Sequence, residues 1–451
     1  MTPVFRDRVA TCAEALDALH WNLNHPVRDM RLPFSAPFDP NDEPESFLES
    51  FPSRPAVFAL FPSDSGVASP PYLTRTRDLR RRLGRLLSPK RENLRMFNLR
   101  GFTRRVEWQV VGSAFEAQWL NYLLNKQYYP RQYRFRLRLK PPALLKLNLR
   151  NRFPRCFPTR RLLKDGAYYY GPFPSQAAAE RFAAEFLDFF KIRRCLEELD
   201  PNPSHPGCIY SQMKMCLAPC FAGCTADEYQ REVGRVVEFL DAQGQSLLRS
   251  LAEERTRASE ALEFEQAAKI HAKIEKVNGV LRQKSELARN LRELHALVMQ
   301  KGAEEKSVLF FRVWRGELRG PALLSLDENV PSPVPLDQQL HNLLDSLAGD
   351  SPPVFPTKTP LLPTPHPPPA VTTVGPRGRS PDPPLTSKAT PIYPRTYGAE
   401  FVPAVPPWEH LSLLARWFYS SFREGELVML NAEQTIPHTR LIRLCRKILT
   451  P

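Results

Sequence analysis

Five of the eight cysteines lie between Cys195 and Cys224, and no other feature of the sequence restricts its fold as strongly. Cys195, Cys208, Cys216 and Cys220 are separated by twelve, seven and three residues, with Cys224 three further along. Four thiolates can close a tetrahedral all-sulfur site, which suits zinc or an iron–sulfur cluster. The segment has no C-x2-C pair of the zinc-ribbon kind, so spacing alone does not choose the metal. Without a metal the same thiols would serve as small buried hydrophobes. A disulfide framework is not expected, because the chain reads as cytoplasmic. No apolar run approaches the ~18 residues of a membrane-spanning helix, and Arg6, Asp7 and Arg8 stand where a secretory apolar region would begin.

Charge and proline divide the rest. Lys and Arg number 63 against 48 Asp and Glu, a net +15, which points to a polyanionic partner, nucleic acid ahead of an anionic membrane. An N-terminal extension is expected over 1–50, with a helical pattern from Thr11, followed by a small α+β unit over 51–149. In that unit Ala56 to Phe61 and Tyr72-Leu73 read as a hairpin, Arg75 to Leu87 as a basic helix, and Ser113 to about Gln127 as a helix with Glu116 completing a capping box. Residues 150–225 form a Cys-rich region with a strand at Ala167 to Gly171 and an amphipathic helix at Ser175 to Lys191. Residues 226–290 lack proline and carry two stretches of helical periodicity, read as an antiparallel pair. Ser307 to Arg319 reads as a strand pair around Arg315-Gly316, and Trp408 to Leu449 as a closing helical piece. Nearly half of the 47 prolines fall in 331–407, which reads as an extended linker. The expected class is α+β.

The run from Cys208 to Cys220 (CIYSQMKMCLAPC), preceded by Asp165-Gly-Ala-Tyr-Tyr-Tyr-Gly-Pro-Phe-Pro-Ser175 and followed by Glu228-Tyr229, resembles the UvrC family, the excinucleases of bacterial nucleotide excision repair. The resemblance runs from about Pro55 to Gln283. It implies a [4Fe–4S] cluster on Cys195, Cys208, Cys216 and Cys220, with zinc as the alternative and Cys224 as a spare. Ala258 to Ile270 resembles the UVR motif, which implies docking on a UvrB-like protein through Leu262, Phe264, Ala267 and Ala268. The motif's usual Arg-Asp pair is replaced here by His271 and Ala272.

Residues 55–83 resemble the GIY-YIG nuclease domain, which cuts a phosphodiester with one divalent cation held by a glutamate. Carried over position by position, Tyr72, Arg75 and Arg82 retain the family's catalytic groups. The first tyrosine falls on Phe58, the signature glycines on Ala56 and Thr74, and the metal glutamate on Asn121. A phenyl ring has no proton to exchange, and a neutral amide is a weak ligand for Mg²⁺. The expectation is a DNA-binding, nuclease-deficient repair protein. Arg77, Arg80, Arg81 and Arg85 would contact phosphate, and Tyr128, Tyr129, Tyr133 and Phe135, interleaved with arginines, would offer base-stacking groups. Two alternatives stay open: a single-site nuclease using Mg²⁺ or Mn²⁺, and a metal-stabilised scaffold binding RNA or protein. Val308 to Leu324 and Trp408 to Leu449 resemble the entry to the family's second half, whose ribonuclease H-like domain and helix-hairpin-helix motifs are not expected here.

Overall fold

The computed structural model describes residues 31–41, 44–62, 70–88, 98–196, 199–326, 334–348, 406–430 and 438–449. The helix expected from Thr11, the turn after Phe61, and the prolines of 351–405 lie outside them. The class is α+β, built on three four-stranded antiparallel sheets.

The first sheet has the order β1-β4-β2-β3, with β1 Phe34–Pro37, β2 Ala56–Phe61, β3 Tyr72–Thr76 and β4 Arg105–Val110. A short helix, α1 (Pro44–Glu49), links β1 to β2. β2 is apolar at every position because both of its faces are covered. Ala56, Phe58 and Leu60 pack under Leu79, Leu83 and Leu86 of α2 (Leu79–Leu87). Val57, Ala59 and Phe61 pack under Ala117, Leu120 and Leu124 of α3 (Ala114–Tyr128). The expected hairpin forms, with Ala59 opposite Leu73. The boundaries of this unit differ from the sequence reading at both ends. Phe34 pairs with Trp108, so the supposed N-terminal extension supplies an edge strand. At the other end, β5 (Ala143–Leu147) belongs to the next sheet.

That second sheet, β6-β5-β7-β8, adds β6 Cys156–Thr159, β7 Tyr168–Phe173 and β8 Arg289–Asn290. Between β4 and β5 the chain makes α3 and a single turn, α4 (Tyr133–Arg136). After β7 come α5 (Gln176–Leu187), the turn α6 (Ile209–Gln212) and three helices: α7 Ala226–Asp241, α8 Gln245–Glu260 and α9 Phe264–Arg282. Two helical stretches were expected where three form. Gln243 and Gly244 turn the chain with φ of 54° and 86°, and a Cβ on Gly244 would fall 2.5 Å from Leu281. Leu262, with φ 60°, makes the second corner. Phe182, Phe186, Val233, Phe239 and Val277 join these helices to the sheet in one core.

The third sheet is β11-β10-β9-β12, from β9 Ala296–Lys301, β10 Ser307–Trp314, β11 Glu317–Ser325 and β12 Glu426–Met429. Arg315 and Gly316, at φ 50° and 77°, form the tight hairpin turn. Two sequence expectations are corrected here. The supposed linker holds α10 (Leu336–Ala348), whose Leu340, Leu343, Leu344 and Leu347 are buried with Phe310 and Ala322 of the sheet. The closing piece is α11 (Trp408–Phe418), the edge strand β12 and α12 (His438–Leu449), rather than helix throughout. Helix α3 is apolar on two sides because it also packs against this part. Phe115, Trp119 and Tyr122 lie in one cluster with Phe311, Leu411 and Trp417, and Trp119 Nε1 donates to Gly320 O at 2.9 Å.

Candidate functional site

Three regions carry chemistry. The first is the α+β unit. Side chains alternate across a strand, so Phe58 and Tyr72 share the sheet face covered by α2, where Arg82 also lies. Arg82 Nη2 donates to the Tyr72 hydroxyl at 3.2 Å, and the Phe58 and Tyr72 rings are 6.4 Å apart. Phe58 is fully buried. Asn121 is elsewhere: it lies on α3, which covers the opposite face with Val57, Ala59 and Leu73. Asn125 Nδ2 donates to Asn121 Oδ1 at 2.9 Å, and Arg136 Nε donates to Asn125 Oδ1 at 3.0 Å. The structure therefore joins Tyr72 to Arg82 and puts Asn121 on the helix that covers the other face of the sheet.

Glu116 is 4% exposed, and its Oε2 accepts from Gly112 N at 2.7 Å while Ser113 Oγ caps Glu116 N at 3.1 Å. Burial pushes its carboxyl up to about 8, against the pull of the Gly112 and Ser113 amides. A group that holds its proton at neutral pH and faces a helix start is no anchor for a divalent cation.

The basic residues divide by exposure. Arg77, Arg81 and Arg85 are exposed along β3 and α2, and Asp78 starts that helix by accepting from Arg81 N at 2.9 Å. Arg80 is committed to its own fold, donating from Nε to Phe51 O at 2.7 Å and from Nη2 to Glu49 O at 3.2 Å. Arg75 is exposed on β3. Of the four aromatics expected to stack on bases, three are structural. Tyr133 is buried and its hydroxyl donates to Glu409 Oε1 at 2.8 Å, Tyr129 donates to Pro71 O, and Tyr128 packs edge-on against Phe61. Phe135 alone of the four projects into solvent, 89% exposed.

The second region is the cysteine loop. Cys195, Cys208, Cys216 and Cys220 line one small pocket with Arg193, Arg194 and Tyr210. Cys224 does not line it and packs instead beside the helical core. Ala218 N donates to Cys216 Sγ at 3.3 Å, and Arg193 Nη1 lies 3.6 Å from Cys195 Sγ. Burial raises the Cys216 thiol to about 11, opposed by the Ala218 amide and reinforced by the other three cysteines. The Cys216 thiol therefore holds its proton until a cation compensates it. Among the described residues no group of three or more His, Cys, Asp or Glu side chains is drawn in tightly enough to hold a single metal ion.

The loop is anchored by residues that spacing did not reveal. The Tyr229 hydroxyl accepts from Arg193 N and donates to Pro154 O, both at 2.8 Å. Glu232, one turn along α7, accepts from Lys191 N at 2.6 Å, and Asn202 N donates to Cys220 O at 2.9 Å. The Thr225–Glu228 capping box that starts α7 was the available signal, because it fixes which residues of that helix face the loop.

The third region is the α8–α9 hairpin. At its tip Leu262 is 71% and Phe264 67% exposed, and Ala268 is exposed as well. Ala267 is not available to a partner: it is buried with Ala258 and Ile270 in the helical core. Ala261 is exposed too. Among the described residues no helix is long and apolar enough to cross a membrane.

Comparison with known proteins matches two of these regions. Residues 143–239 match the UvrC/Cho excinuclease middle domain, and residues 245–279 match the UvrB/uvrC motif. The chain is 28% identical over 274 residues to UvrABC system protein C of Carboxydothermus hydrogenoformans, covering 60% of this chain and 44% of that protein. It is 31% identical over 238 residues to that of Actinobacillus succinogenes, covering 52% and 38%. A 308-residue match to the Mannheimia succiniciproducens protein, at 28% identity, covers 68% and 48%. The chain thus spans less than half the length of these relatives. No solved structure matches it. The cysteine loop thus lies within the segment that matches the UvrC/Cho middle domain, and the helical hairpin is the segment that matches the UvrB/uvrC motif, in a chain similar to the UvrC proteins.

Proposed function

We propose that this protein is a UvrC-like DNA-binding component of nucleotide excision repair that holds DNA without cutting it. The observation that carries the reading is the divided nuclease-like site. Tyr72 and Arg82 remain together, Phe58 is packed into the core, and the position expected to hold a cation is an amide tied to Asn125 on the other face of the sheet. Arg77, Arg81 and Arg85 supply exposed guanidinium groups for phosphate. Leu262, Phe264 and Ala268 supply the apolar tip for a UvrB-like partner. Such a tip costs little to expose and loses that exposure on docking.

Cys195, Cys208, Cys216 and Cys220 are the ligands proposed for a [4Fe–4S] cluster. The donor set fits it, with four thiols around one pocket, an amide and a guanidinium beside the sulfurs, and, among the described residues, no acid or imidazole lining it. The cluster would staple a loop that otherwise has one-turn helices and little core of its own. Anaerobic purification followed by iron, sulfide and zinc analysis tests this: iron and sulfide are expected, and stoichiometric zinc would overturn the assignment. The second reading, a single metal-dependent incision, draws on the retained Arg82–Tyr72 contact, and a nicking assay with Mg²⁺ and Mn²⁺ separates it from the first.

A further inference from the structure

The segment 131–140 carries Arg131, Arg134, Arg136, Arg138 and Lys140 with no acidic residue. Arg134 is ion-paired, with Glu409 at 2.7 Å. The segment is held rigidly. Arg136 stacks over the Tyr129 ring at 3.6 Å while bonded to Asn125, and Tyr133 is pinned to Glu409. Arg416 of α11 donates from Nη2 to Arg138 O at 2.9 Å and from Nη1 to Leu137 O at 3.4 Å. Partial desolvation, then the charges of Arg416 and Arg77, depress the Arg75 guanidinium of β3 below its ordinary range. Cations of the segment and of α11 thus meet at the turn that carries Phe135, the one aromatic of the segment left in solvent, with Arg138 N bonded to Phe135 O at 3.0 Å.

A single exposed phenylalanine is ordinary on a protein surface. One held on a fixed turn, in a cationic segment that carries no acid of its own, has the features of a base-stacking platform. We propose that Phe135, with Arg138 and Arg416, binds an unpaired nucleic-acid strand, the ring stacking on a base and the guanidinium groups following the phosphates. The inference rests on the DNA-binding reading and narrows it, because bases stacked within an intact duplex do not offer a face to the ring.

The test uses the full chain and a short single-stranded DNA containing 2-aminopurine, alongside the matching duplex. Phe135→Ala is expected to weaken single-strand binding about tenfold and to abolish the 2-aminopurine fluorescence change, with duplex affinity unchanged. Phe135→Trp restores both, and Arg138→Gln lowers the salt slope by about one. Unchanged single-strand affinity in Phe135→Ala would overturn the inference while leaving DNA binding intact. Altered sedimentation of that variant with unaltered DNA binding would also overturn it, making the patch a protein contact. If the wild-type chain binds neither DNA at low salt, the DNA-binding reading itself fails.

Discussion

Replacing Glu116 with Gln tests the electrostatics of the nuclease-like unit. In the fold this carboxyl is buried at the start of α3 and rises from 4.5 to about 8. Ionising it inside the fold therefore costs about 5 kcal/mol more than in the unfolded chain. A carboxyl whose folded pKa is raised binds its proton more tightly in the native state. Its contribution to stability is therefore undiminished below about pH 4.5, falls as the pH climbs from 4.5 to 8, and stays lost above that. Gln keeps an oxygen for the Gly112 amide and has no proton to lose. The expected result is that between pH 5.5 and 8 wild type loses roughly 3 kcal/mol more stability than Glu116→Gln, the contributions of other titrating groups cancelling in the difference. Urea denaturation followed by tryptophan fluorescence reads this directly, since Trp119 lies on the same helix. Parallel pH profiles for the two proteins would refute the buried, protonated carboxyl, and with it the argument that Glu116 is unavailable to a cation.

Tyr229→Phe removes the hydroxyl between Arg193 N and Pro154 O, and should cost about 1–3 kcal/mol in thermal or urea unfolding. It should also lower the iron bound if the proposed cluster forms, because Arg193 lines the cysteine pocket. Gly112→Ala should destabilise more severely. Its Cβ would fall 2.1 Å from Gly302 C, a backbone atom that cannot step aside, and differential scanning calorimetry should register a loss of several kcal/mol. Phe264→Ser at the exposed hairpin tip should leave the melting temperature within about a degree or two, yet weaken binding to a UvrB-type partner at least tenfold in calorimetric titration.

Local signals that coincide with tertiary need were legible in the sequence. The Ala56 to Phe61 run, the Ser113 cap and the Arg315-Gly316 turn all form as read, since each is a short-range preference that the sheets reinforce. The cysteine spacing likewise located the residues that share a pocket. Where long-range pairing decided, the reading failed. Phe34 to Pro37 has a weak strand pattern of its own and becomes one by pairing with β4, while α10 hides among prolines although its leucines recur at helical spacing. Nor could sequence sort Phe135 from Tyr128, Tyr129 and Tyr133. That distinction depends on Glu409, Pro71 and Phe61, which lie far from the segment in sequence.

A protein that grips DNA through its α+β unit and does not cut it should leave supercoiled plasmid intact. Conversion of that plasmid to nicked circles by the purified chain with Mg²⁺ or Mn²⁺, run beside a salt titration of DNA binding, decides the matter. Binding is expected to weaken steeply with salt, with no nicking above a buffer control. Metal-dependent nicking that disappears in Arg82→Ala would show instead that the chain is a nuclease.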